Sequence, residues 1–344
     1  MQPQDGPPPS PDILRIIARE EPTLKAIAGR RICIVGGSGF IGTWLSNTLL
    51  EANSKYHLNL SINIVARNQK KLEDRLLPGH LGKFRFTKTD FATQNTVIPQ
   101  NDIYFLAATP SSVPPGKNYD RVAANVTENS TKAILESLNL GSECAIIHLS
   151  SGSVYGHQAM DLKFMPEIDV NSTNRSLSAY GKAKLKTENL LMEKSMASGG
   201  NLLVSNPRLF AFAGPLLPLN AHFAVGNFLQ DLLYKRDIQV NGSPDTIRSY
   251  LYPTDLISAL LRIGAKPFSG PINIGSEESI TIGDLGSLFT QLSSHSRVHF
   301  IEPNSPPTNY VPEVKNLVQE FGWTQEVNLD DAINRWRNWA TQLS

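Results

Sequence analysis

The chain has 344 residues, 40% hydrophobic and 18% charged, with 32 Lys and Arg against 31 Asp and Glu. A net charge of +1 with no long single-sign run argues against nucleic acid or an anionic membrane as the main partner. No apolar run approaches the ~20 residues of a membrane span, and the N-terminus MQPQDGPPPSP lacks the basic and apolar regions of a secretory leader. A cytoplasmic protein is therefore expected, in which the sequons at Asn125, Asn129 and Asn171 carry no sugar.

The length fits one large or two unequal domains. Residues 1–29 form an extension: Pro-rich and expected to be disordered over 1–10, then helical in spacing over 11–28 with a break at Pro22. Strand RICIV (31–35) leads into a helix beginning FIGTWL, followed by strands LSINIVA (60–66), KFRFTK (83–88) and DIYFLAA (102–108). A helix over 121–138, strand CAIIHL (144–149), a helix over 180–197 and strand NLLVSNP (201–207) complete the series. Apolar strands alternating with amphipathic helices predict an α/β fold, a Rossmann-type doubly wound parallel sheet over 30–207 with a return segment near 246–265. After 208 the rhythm is broken by AGPLLPLNAH and VNGSP, before a helix near 283–293 and another over 329–343. Residues 208–245 and 266–344 are expected to form a smaller substrate-binding α/β domain. Cys33 and Cys144 lie in strand-like runs and read as buried reduced thiols. No metal site is expected.

Three motifs carry chemistry. In GGSGFIG, Gly36, Gly39 and Gly42 stand between strand and helix, where a backbone free of side chains can approach a pyrophosphate resting on the helix N-terminus. The next strand ends in Ala66-Arg67, where an NAD-preferring site would offer a carboxylate to the ribose; an arginine instead suits the 2′-phosphate of NADP(H), which is expected in preference to NAD(H). Asp90, after another short strand, is placed to accept from the adenine amino group. Third, Tyr180 and Lys184 share a helix face at i, i+4. A neighbouring ammonium favours the phenolate, bringing a phenol that ordinarily titrates near ~10 into working range. A hydroxyl from an earlier strand end would complete such a site, and HLSSGSVYG (148–156) supplies several.

With these residues the sequence resembles the extended short-chain dehydrogenase/reductases, which include nucleotide-sugar epimerases, dehydratases and 4-keto reductases. The likeness covers about residues 30–325 and includes Asn125 in ANVTENS, RLFAFAGP (208–215), RSYLYPTD (248–255) and INIGS (272–276). The resemblance implies that Ser151 is the catalytic hydroxyl, that Tyr180 passes the proton and that Lys184 tunes Tyr180 and holds the cofactor ribose. It places Phe40 and Ile41 with the glycines on the pyrophosphate, and Phe91, Ala107, Ala108 and Pro207 around the cofactor. Asn125 would position a strand end and the cofactor, Arg248 would meet the substrate diphosphate, and Ser153, His222 and Asn227 would face the substrate. It also implies a homodimer through the 122–138 and 180–197 helices, with Ile134, Leu185, Leu190 and Leu191 as candidates for the seam.

Dehydrating relatives place an acid after the catalytic hydroxyl, whereas this chain has Gly152 and Ser153. The expected activity is NADPH-dependent reduction of a nucleotide-linked 4-keto-6-deoxysugar. A nucleotide-sugar 4-epimerase with bound NAD is the alternative, and a 4,6-dehydratase stands third. Relatives that keep only the fold and act as sensors lose Tyr or Lys, and both are present here.

Overall fold

A computed structural model describes residues 6–91, 97–108, 117–139, 141–171, 176–219, 223–293, 295–301 and 306–342. Two helices come first, α1 (Ser10–Arg19) and α2 (Glu21–Ala26). Then follow β1 (Arg31–Val35), α3 (Phe40–Tyr56), β2 (Ser61–Ala66), α4 (Gln69–Glu73), β3 (Arg85–Lys88), β4 (Ile103–Leu106) and α5 (Lys117–Ser137). The middle of the chain forms β5 (Cys144–His148), β6 (Ser150–Ser151), a 3-10 turn (Gly152–Tyr155), α6 (Ala179–Ala197) and β7 (Leu202–Leu209). The last part holds α7 (Ala224–Leu233), β8 (Ile238–Val240), β9 (Ile247–Ser249), α8 (Pro253–Ala265) and β10 (Gly270–Ile274). It ends with β11 (Ser279–Thr281), α9 (Ile282–Gln291), β12 (Val298–Phe300), β13 (Asn309–Tyr310), α10 (Lys315–Phe321) and α11 (Leu329–Gln342).

The main sheet runs β10-β7-β5-β4-β1-β2-β3, with β6 also on β7, and every pairing in it is parallel. Strands β4 and β5 are buried along their whole length, and β1 from its second residue on. That burial explains their unbroken apolar runs: helices cover both faces and neither face needs polar residues. Strand order reverses between β1 and β4, which opens a crevice at their C-terminal ends. Gly36 follows one of those ends and Ala107 the other. Smaller sheets, β11-β9-β13 and β12-β8, lie in the later part of the chain.

The structure corrects three expectations. Strand β10 falls inside the 266–344 segment assigned to the substrate side, yet Ile272 and Ile274 are buried and pair with Pro207 and Leu209 of β7. A five-residue strand with no helical partner after it leaves no βαβ rhythm to read. Residues 6–10 are ordered rather than disordered: Gly6 and Pro8 are buried, and Trp339 Nε1 on α11 donates to the Pro7 carbonyl at 2.9 Å. Ile134 and Leu191, offered for a dimer seam, are fully buried in the core, while Leu190 is exposed.

The N-terminal helices are structural. Ile13, Ile16, Ile17 and Leu24 join the main core, each burial contributing about 1.5–3 kcal/mol. Three carboxylates fix the helices to later elements. Asp12 accepts from Tyr252 Oη at 2.6 Å and Arg335 at 3.0 Å, and Arg19 donates to buried Asp255 at 2.7 Å. Glu20, wholly buried, accepts from Ser258 at 2.6 Å and from Arg262 Nε and Nη2 at 2.9–3.0 Å. Truncating one member of such a cluster strands the other charges. Glu20→Ala is expected to lower the unfolding free energy by roughly 3 kcal/mol in chemical denaturation. A loss under about 1 kcal/mol, the size of an exposed pair, would show that water replaces the carboxylate.

Candidate active site

The glycine-rich turn is fixed by steric approach. Gly36 has φ of +89°, and a Cβ there would lie 2.7 Å from the Ala108 nitrogen and 2.8 Å from the Ala107 carbonyl oxygen. Gly39 N–H bonds back to the Gly36 carbonyl at 3.0 Å, which closes the turn, and Gly42 packs so tightly that a Cβ would meet that same carbonyl at 2.3 Å. Gly37, not singled out from the sequence, is equally constrained, since its Cβ would fall 2.1 Å from Ile64 Cγ2.

The turn borders a cleft of about 420 Å³ lined by Gly36, Gly39, Arg67, Asp90, Phe91 and Ala108 of the predicted cofactor residues. Asn68, Lys71 and Val126 also line it. Asn68 caps α4 by accepting from the Lys71 amide at 2.9 Å, which sets Lys71 on the same rim as Arg67. A dinucleotide fits this donor set: a backbone cradle that a Cβ would fill, a carboxylate on one side and two cations at the end of β2. Phe40 and Ile41, half-buried, begin α3, and Pro207 is buried within β7, two residues short of its end.

Asn125 is exposed on α5. The asparagine that holds a strand-end loop is Asn129, one helical turn later, whose Nδ2 donates to the Phe91 carbonyl at 2.7 Å. The helix turns Asn129, rather than Asn125, toward that loop.

At the end of β5, successive strand residues meet successive turns of α6. Lys184, 2% exposed, donates from Nζ to the Leu149 carbonyl at 2.7 Å, and Nζ lies 5.7 Å from the centre of the Tyr180 ring. One turn further, Glu188 accepts from Ser150 and from Arg208 at 2.7 and 3.2 Å. Ser178 caps the helix by accepting from Gly181 N–H at 3.0 Å. Gly181 permits the close seating, since a Cβ would come within 2.6 Å of the Ser153 carbonyl. Ser151 is buried and its Oγ accepts from the Ser153 amide at 3.2 Å. Ser151, Tyr180 and Lys184 are therefore carried by two elements locked against each other.

Burial pushes the Lys184 ammonium down to about 8, with Glu188 opposing the shift. Burial likewise pulls His148 down to about 3, so this residue is neutral at physiological pH; its Nδ1 lies 3.0 Å from Asn206 Oδ1.

On the expected substrate side, Arg248 Nη1 donates to the Ile247 and Thr308 carbonyls at 2.8 Å each, and Nη2 to Thr308 Oγ1 at 2.9 Å. Its guanidinium makes no ion pair with a carboxylate among the described residues. Asn227 is half-buried on α7. Ser153 Oγ is buried without a partner among the described residues. His222 lies outside the described residues. Sequence reasoning missed Tyr310, whose hydroxyl stands over Gly152.

This parallel sheet, with its glycine turn and hydroxyl–phenol–ammonium arrangement, defines an extended short-chain dehydrogenase/reductase. The chain belongs to the NAD dependent epimerase/dehydratase family, whose model matches residues 32–275, and is an enzyme of that family. It is 26% identical over 333 residues to UDP-glucuronic acid decarboxylase 3 of Arabidopsis thaliana, covering 95% of this chain and 92% of that one. Among solved structures it superposes on the epimerase Mth375 of Methanothermobacter thermautotrophicus with a TM-score of 0.78, at 16% identity and with 95% and 96% of the two chains covered. It matches MoeE5 in complex with UDP-glucose and NAD with a TM-score of 0.73, at 21% identity and 91% and 100% coverage. No helix among the described residues is long and apolar enough to cross a membrane.

An unfolded chain holds the Lys184 proton up to its ordinary value of 10.5, and the folded chain only to about 8. The buried ammonium therefore costs stability below pH 8, and this cost fades as the pH rises towards 10.5. Lys184→Met is expected to melt no lower than wild type at pH 7, with an advantage that shrinks in melting curves taken between pH 8 and 10.5, while losing turnover about a hundredfold or more. A variant several degrees less stable at pH 7 would contradict this account of the site.

Proposed function

We propose that the protein is an NADP(H)-dependent oxidoreductase of nucleotide-linked sugars that reduces a 4-keto-6-deoxysugar. The observation carrying this reading is the pair of cations, Arg67 and Lys71, on the cofactor cleft at the end of β2, while the one carboxylate among the described lining residues, Asp90, follows β3 instead. Two cations favour a 2′-phosphate, and a phosphorylated cofactor is the reducing one. When bound, the nicotinamide would supply the hydride that no side chain can.

The chain's own groups do the rest. The Ser151 hydroxyl, on a buried serine, donates to the ketone oxygen and holds the charge developing there. Tyr180 delivers the proton to that oxygen, and the Lys184 ammonium beside its ring favours the phenolate left behind. Arg248 holds the substrate diphosphate; a guanidinium bound only to neutral groups keeps its charge for such an anion. The residues after Ser151, Gly152 and Ser153, provide no carboxyl group to protonate a leaving hydroxyl, which sets a 4,6-dehydratase behind. A homodimer in the cytoplasm goes with this reading.

The relatives favour a second reading. UDP-glucuronic acid decarboxylases and epimerases suggest a cycle in which C4 is oxidised and reduced again in one site with NAD retained. A nucleotide-sugar 4-epimerase with bound NAD is this second reading.

Titration with NADPH and NADH separates the two. The wild type is expected to prefer NADPH at least tenfold, about 1.4 kcal/mol. Arg67→Ala combined with Lys71→Ala should erase that preference without weakening NADH. Equal affinities in the wild type would remove the case for the reductase. With a 4-keto nucleotide sugar, Tyr180→Phe should lower turnover by about 10²–10⁴ and leave NADPH affinity intact; an active Tyr180→Phe would show that the proton comes from elsewhere.

A further inference from the structure

Arg75 follows α4 and belongs to none of the motifs, yet its side chain ends at the glycine turn. Only 6% of the residue is exposed, and its Nη1 donates to the Ser38 carbonyl at 3.3 Å. Ser38 lines the cofactor cleft between Gly36 and Gly39. On the other side of that peptide unit, the Gly39 N–H donates to the Gly36 carbonyl at 3.0 Å. Both polar ends of the Ser38–Gly39 peptide are thus held, and its plane is set. Gly39 is the N-cap of α3 and brings no side-chain cap, so the first amides of the helix are left for a ligand. The direction in which they point depends on the peptide plane before them.

The backbone of Arg75 is anchored to the same helix. Asn47 on α3, wholly buried, donates from Nδ2 to the Arg75 carbonyl at 3.0 Å and to the Thr43 carbonyl at 2.9 Å. Its Oδ1 accepts from the Leu77 amide at 2.7 Å. His80 adds to this anchor, with Nδ1 3.3 Å from Asn47 Oδ1 and Nε2 2.9 Å from Glu51 Oε2. The guanidinium therefore reaches the start of α3 from a segment fixed further along it. The sign of its charge is informative. A helix N-terminus carries partial positive charge and disfavours a cation beside it. A pyrophosphate on the turn reverses that balance, because the helix and the guanidinium then both attract it.

We propose that Arg75 is a positioning residue of the cofactor site, fixing the Ser38–Gly39 peptide from inside the protein and backing the pyrophosphate with a buried positive charge. Arg67 and Lys71 line the cleft itself and act on the 2′ end of the adenosine in the proposed function. Arg75 acts instead on the pyrophosphate, which NADPH and NADH share. The inference rests on the cleft being the dinucleotide site, and not on which of the two cofactors fills it.

The test is titration calorimetry of the full chain with NADPH, with NADH, with ADP-ribose, which carries the pyrophosphate, and with 2′-AMP, which does not. Arg75→Met should weaken NADPH, NADH and ADP-ribose by a similar factor, about tenfold or more, and 2′-AMP less than about twofold. Arg75→Lys keeps the charge and a donor, and should stay within about threefold of wild type for all four. General damage to the fold would weaken every ligand alike, so a 2′-AMP affinity that falls with the others overturns the proposal. An unchanged ADP-ribose affinity in folded Arg75→Met overturns it as well. So does a loss confined to NADPH and 2′-AMP, which would make Arg75 a ligand of the 2′-phosphate. Where Arg75→Met does not fold, the neutral Arg75→Gln gives the same comparison. If the wild type neither prefers NADPH nor binds 2′-AMP, the NADP(H) reading fails, while the NADH and ADP-ribose affinities still decide the role of Arg75.

Discussion

The site stands on the buried ion pair between Glu188 of α6 and Arg208 of β7. Both side chains are about 5% exposed, and the pair is completed by Ser150 donating to Glu188 and by Arg208 donating to Tyr155 Oη at 3.1 Å. A buried pair contributes little net stability compared with a well-packed apolar substitute, but removing either partner leaves an uncompensated charge. Its effect here is geometric. It holds one turn of α6 against the strand end, so that Lys184 reaches the Leu149 carbonyl and Tyr180, a turn earlier, comes to the Ser151 end.

From that pair the constraint extends into the later part of the chain. Tyr155 donates to Asn273 Oδ1 at 2.7 Å, and Asn273 donates to the Met165 and Glu313 carbonyls at 2.8 and 3.1 Å. Gln158 accepts from the Val311 amide at 2.9 Å, and Asn309 donates to the Ala159 and Met160 carbonyls at 3.4 and 3.1 Å. These bonds fix the two residues flanking Tyr310. The phenol is therefore delivered to Gly152 by a segment tied down on both sides, Asn309 being engaged through its Nδ2.

The middle of the main sheet was legible because β1, β4 and β5 are buried and read as unbroken apolar runs. The glycine turn was legible because close backbone approach leaves no alternative residue. Tyr180 and Lys184 could be paired because a helix turns every 3.6 residues. Glu188 continues the same spacing and could have been read as the third residue of that face, but a carboxylate on a helix has no local signature of burial. Asn125 and Asn129 are a turn apart, and nothing in the sequence says which one faces the sheet. Tyr310, Asp12, Glu20 and Asp255 were beyond reach for a common reason: their partners lie scores to hundreds of residues away, and local periodicity carries no information on such contacts. Strand β10 was hidden in the same way, since its neighbour β7 precedes it by some sixty residues.

The most direct test of the account is a reaction with NADPH carrying deuterium at nicotinamide C4 and a 4-keto nucleotide sugar, followed by mass spectrometry of both products. The account predicts that oxidised cofactor accumulates one for one with a sugar bearing a single deuterium at C4. Product formed with no net consumption of added cofactor, alongside NAD released only when the protein is denatured, would contradict it and establish the closed cycle of the epimerases.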